Sequence, residues 1–86
     1  MKLIMKPIAV VAAFDEEGKS WPIKFRYRDE QENAMITVNR ILVRKQEKIA
    51  GNLMLVFLCQ SSIHEQEVRF EIKYEVRTQK WFLSKM

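Results

Sequence analysis

From Glu67 to Arg77, apolar and charged residues alternate without interruption: Glu-Val-Arg-Phe-Glu-Ile-Lys-Tyr-Glu-Val-Arg. Successive side chains of a strand point to opposite faces, so Val68, Phe70, Ile72, Tyr74 and Val76 share one face. The opposite face carries Glu67, Arg69, Glu71, Lys73, Glu75 and Arg77, whose signs also alternate. A helix would scatter both sets around its circumference, so the segment predicts a half-buried β-strand. Trp21 to Arg28 has the same period. Trp21, Ile23, Phe25 and Tyr27 fall on one side, and Lys24, Arg26 and Arg28 on the other. Pro22 cannot donate to a ladder, which places it at the strand's beginning or on an edge.

The remaining segments complete a string of short strands. Ile8 to Phe14 is apolar and closes on Asp15-Glu16-Glu17-Gly18-Lys19, a hairpin-type loop with Gly18 available for positive φ. Ala34 to Lys45 changes parity partway: Ile36 and Val38 share one face, Ile41 and Val43 the other. Such a slip predicts a bulge or strong bend near Asn39-Arg40. A turn over 46–52 uses Gly51-Asn52 as its positive-φ pair, and Leu53 to Cys59 follows as an unbroken apolar run. Trp81-Phe82-Leu83 closes the chain after a Thr78-Gln79-Lys80 turn. No segment carries a helical period of three turns. The expected fold is all-β: a small antiparallel meander barrel or sandwich of five to six strands, one domain over residues 1–86. The expected core is Val10, Ile23, Phe25, Tyr27, Val38, Leu55, Phe57, Val68, Phe70, Ile72, Tyr74 and Trp81.

Two strands are apolar on both faces, 8–14 and 53–59. Burying one face of a sheet accounts for only half of their residues, and leaving Met54, Val56 and Leu58 wet forfeits stabilisation. Three covers are open: long side chains from neighbouring strands, the Met1–Met5 segment folding across, or a second copy of the chain. A homodimer through strand 8–14 or through Met54, Val56 and Leu58 is the expectation on the third.

Charge adds a second candidate surface. The net charge is only +4, yet every charged residue within Trp21–Arg28 and Ile36–Lys45 is basic: Lys24, Arg26, Arg28, Arg40, Arg44 and Lys45. Their acidic counterweights Asp29, Glu30, Glu32 and Glu47 fall in the loops. Paired as a hairpin, these strands would show a basic face of the kind that grips nucleic-acid backbones or other polyanions. Against this, Trp21, Phe25 and Tyr27 have the opposite parity and read as core, and a solvated Lys/Arg face also keeps strands soluble.

Catalytic and metal chemistry have little to stand on. His64 is the only histidine and sits in a polar loop; Cys59 is the only cysteine and ends an apolar run, which predicts a buried, unreactive thiol. No metal-ligand spacing, phosphate-cradling loop, cofactor motif or evident small-molecule substrate site appears. One cysteine allows no internal disulfide, in keeping with a cytoplasmic location, and no run approaches the ~20 apolar residues of a membrane helix. Lys2 and Lys6 before Ile8–Phe14 echo a secretory signal, but Pro7 and the acidic Asp15-Glu16-Glu17 oppose it.

Pro22-Ile23-Lys24-Phe25-Arg26-Tyr27, Val38-Asn39-Arg40-Ile41, Phe70-Glu71-Ile72-Lys73-Tyr74 and Trp81-Phe82-Leu83 together resemble a pattern in small uncharacterised bacterial all-β proteins, a domain of unknown function. The resemblance covers about half the chain. The resemblance implies no catalytic residue, and because some of those proteins are associated with the neighbourhood of translesion DNA polymerases it adds slightly to the nucleic-acid reading. The leading expectation, resting on the two doubly apolar strands, is a self-associating interaction module without catalysis of its own. The alternative is a nucleic-acid-binding accessory domain using the basic face of strands 21–28 and 36–45.

Overall fold

The computed structural model describes residues 1–86 and contains only strands and turns. Seven strands form one curled antiparallel sheet, a half-barrel: β1 (Leu3–Phe14), β2 (Ser20–Arg28), β3 (Asn33–Thr37), β4 (Arg40–Ile49), β5 (Asn52–Ile63), β6 (Gln66–Glu75) and β7 (Lys80–Lys85). Their order across the sheet is β3-β2-β1-β7-β6-β5-β4. Two meanders, β1–β3 and β4–β7, thus meet along β1 and β7, with Ile8 opposite Trp81 and Pro7 opposite Phe82. No helix is long and apolar enough to cross a membrane.

The class is as the alternation predicts, and the strand count rises to seven because the third predicted strand divides at the expected bend. Val38 and Asn39 form a corner that carries the chain from one sheet edge to the other. The Val38 N–H donates to the Ile23 carbonyl (2.8 Å) and the Asn39 N–H to the Gln60 carbonyl (3.1 Å). The Ser62 N–H donates to Asn39 Oδ1 at 2.7 Å. Backbone groups that would lie idle at two edges are thereby paired at this end of the half-barrel. A second irregularity, between Ile41 and Val43, turns Val43 outward.

The concave face is the core. Phe25, Phe57, Cys59, Phe70, Ile72 and Leu83 have no more than 1% of their surface exposed, and Ile36 8%. Phe25 and Phe70 meet with ring centroids 5.2 Å apart, and Trp81 lies between Phe57 and Tyr74 at 5.9 and 4.6 Å. These are the tilted contacts that aromatic quadrupoles favour.

Two tight hairpins differ from expectation. The positive-φ pair of the β4–β5 turn is Ala50-Gly51, one residue earlier than predicted, because Ile49 pairs directly with Asn52. The β5–β6 turn places His64 and Glu65 at φ 50° and 65°. Two-residue turns with both φ values positive match the right-handed twist of their strands, so sheet twist overrides residue preference here. β5 consequently runs on to Ile63 instead of ending at Cys59.

Candidate nucleic-acid interface

β2 decides the character of the outer surface. Phe25 pairs with Val10 and both belong to the core. Lys24 pairs with Val11 and Arg26 with Ala9, on the outside. Between Val11 and Ala12 the register shifts by one residue of β2, and Ile23 has no partner on β1. Past this bulge Pro22, wholly buried, faces inward, and Trp21 stands opposite Ala13 on the outer face. Trp21 therefore shares its face with Lys24, Arg26 and Arg28, contrary to the parity count. Ile23, predicted as core, is instead 39% exposed in the bulge. The sequence signal was Pro22 itself, since a proline inside a paired strand is tolerated at a bulge.

The strands around this column hold no acid. The four adjacent strands β3, β2, β1 and β7 contain Lys6, Lys24, Arg26, Arg28, Lys80 and Lys85 and not a single Asp or Glu. Lys24 lies in a row between Val11 and Thr37, Arg26 in a row between Ala9 and Met35. Arg26 is braced by donating from Nη1 to Asn33 Oδ1 at 2.8 Å. Lys6 is spent at the sheet's end, donating to the Arg28 carbonyl and lying 5.0 Å from the Tyr27 ring centre. Of the three acids of the β2–β3 loop, Asp29 turns on its own backbone: its Oδ1 accepts from the Gln31 and Glu32 amides at 2.7 and 2.6 Å, which holds its carboxyl below the usual range.

The six basic residues expected to share a surface divide into three groups. Lys24, Arg26 and Arg28 form the outer column. Arg40 joins its far end, where Trp21, Ile23, Asn39 and Arg40 line a shallow pocket of about 340 Å³. Arg44 turns to the opposite, concave face, 5.1 Å from the Phe57 ring centre, and donates to the Ser20 carbonyl at 2.6 Å. Lys45 points outward on the other half of the sheet, 3.6 Å from Glu47.

Met54, Val56 and Leu58 lie on the outer face of β5 and are covered largely from within the chain. Lys45 and Lys73 flank Val56 on either side. Glu47 links them, 3.6 Å from Lys45 and 3.0 Å from Lys73, and Lys73 also approaches Glu71 at 3.9 Å. This chain of ions leaves Met54 5% and Val56 1% exposed, while Leu58 stays half-buried beside exposed Val43. The cover is the first of the three predicted: the stems of long charged side chains over an apolar strip.

Glu47 supplies a pH prediction. The hydrogen bond from Lys73 holds its carboxyl below the ordinary 4.5. A carboxyl lowered in the folded state contributes stability above its unfolded pKa, and the contribution is lost as pH falls through the folded value. Melting temperature should therefore drop on acidification below pH 4.5, and Glu47→Gln should flatten that drop. An unchanged acid profile in the variant would show that the ion chain does not hold the cover.

Elsewhere, Cys59 is fully buried and burial pushes its thiol up to about 12. His64 occupies the exposed β5–β6 turn. No family model matches the chain, and neither the curated proteins nor the solved structures contain a match.

Proposed function

We propose that this domain is a binding module for single-stranded nucleic acid, engaged through the convex face of β2. The observation that carries the proposal is the bulge at Ile23, which sets Trp21 on the same face as Lys24, Arg26 and Arg28. Phosphates need cations, and bases need an aromatic platform; a strand that offers both at alternate positions can track a backbone while stacking a base. Arg40 and Asn39 beside Trp21 extend the track, and the neighbouring strands add no acid to it. The resemblance to small bacterial proteins associated with translesion polymerases accords with this reading.

Fluorescence anisotropy with a labelled single-stranded oligonucleotide at low salt tests it. Lys24→Glu, Arg26→Glu and Arg28→Glu together should abolish binding. The corresponding Ala triple should reduce the slope of log affinity against log salt by about 2, as expected for three phosphate contacts on a single strand. Trp21→Ala should weaken binding by ~1–3 kcal/mol, the contribution of one stacked base, with little change in salt slope. No binding at low ionic strength, or binding indifferent to the triple reversal, would end the proposal.

A further inference from the structure

β2 and β4 are not paired, and along the gap between them a cleft of about 330 Å³ opens on the concave side. Lys19, Ser20, Arg44 and Gln46 contribute its polar side chains, with the outward-pointing Lys45 reaching it only at the strand between Arg44 and Gln46; Leu55 and Phe57 form its apolar part, and no acid lines it. Lys45 is shared with Glu47, whereas Arg44 forms no ion pair and the Lys19 side chain makes neither a hydrogen bond nor an ion pair. Only the Nη1 of Arg44 is engaged, on the Ser20 carbonyl, so the rest of the guanidinium fork remains available. Ser20 adds a second orphan: its hydroxyl is buried without a hydrogen-bond partner, alone among the buried side-chain polar atoms.

Unpaired cations over an apolar floor, with the unsatisfied Ser20 hydroxyl just beneath the surface, describe a receptor for a molecule with two ends. We infer that this cleft binds a small organic phosphate, its oxyanion held by Arg44 and Lys19 and its apolar body set against Leu55 and Phe57. A guanidinium matches a phosphate through paired N–H donors, and Arg44 is already fixed over Phe57, so its fork is pre-oriented. The site is separate from the Trp21 face: Arg44 belongs to the concave surface and Lys24, Arg26 and Arg28 to the convex one.

Phenyl phosphate is the probe, titrated into the uniformly 15N-labelled protein at low salt and followed by amide and arginine side-chain resonances, with phenol and inorganic phosphate in parallel. Saturable shifts at Ser20, Arg44 and Phe57 are expected with phenyl phosphate, weaker ones with inorganic phosphate, and none with phenol. Lys19→Gln should weaken the response at least about tenfold, as should Arg44→Gln. Lys19 is the safer variant because its side chain supports nothing in the fold. The Lys24/Arg26/Arg28 reversal should leave the response intact, which keeps this outcome distinct from that of oligonucleotide binding. The inference is overturned by shifts that never saturate, by shifts on the convex face instead, by equal responses to phenol and phenyl phosphate, or by an unchanged response in Lys19→Gln.

Discussion

Phe70→Ala should cost about 3–5 kcal/mol of folding stability, the range for truncating a buried aromatic. Phe70 has no exposed surface, stands opposite Cys59 on β5 and packs 5.2 Å from Phe25. It thereby ties the two meanders together through the middle of the core. The cavity cannot be refilled easily, because the ring that meets it is itself fixed: Phe25 on β2 has no exposed surface. Domains of this size hold about 5–15 kcal/mol in total, so the variant should sit near the edge of folding. Urea unfolding followed by circular dichroism would measure the loss. A midpoint within error of the parent protein would mean that Phe70 does not lie at the centre of the core.

Val56→Lys carries the second large effect and separates two accounts of β5. Val56 is 1% exposed on the convex side, between Lys45 on β4 and Lys73 on β6. A third ammonium there would be dry, would face like charges on both neighbouring strands and would break the Glu47 bridges. A loss of ~3 kcal/mol or more is expected, in the range for an uncompensated buried charge, visible as a lowered melting temperature at any protein concentration. If Val56 instead waited for a second copy of the chain, lysine would be tolerated in the monomer and would act only on association. Melting curves and light scattering across a concentration series distinguish the two. Leu58, Val43 and Met1, which line a groove beside Val56, are the apolar surface still open to a second copy on this side.

The all-β class and the strand at Gln66–Glu75 were legible because their period is undisturbed and one residue decides the face of the next. The corner at Val38-Asn39 was legible for the opposite reason, a break in parity with apolar residues on both sides. Trp21 was misplaced because a bulge inserts one residue without altering composition, and every parity upstream of Ile23 inverts. The cover over Met54 and Val56 left no local trace either: Glu47 and Lys73 lie 26 residues apart and meet only because β4 and β6 flank β5. The cleft at Ser20 and Arg44 is likewise made by two strands that approach without pairing. Sequence patterns report what a residue does within its own strand, and both candidate surfaces depend on what lies across from it.

The meeting of β1 and β7 bears on how the molecule comes apart. Every other strand pairing joins neighbours in the chain through a short turn, whereas this one brings residues 3–8 against 81–85. Closing so long a loop is rewarded only after both meanders exist, so it belongs late in assembly and early in opening. Weakening Ile8 should then accelerate unfolding while leaving the refolding rate nearly untouched, and the lifetime of the folded state should be set at this line more than at the aromatic centre.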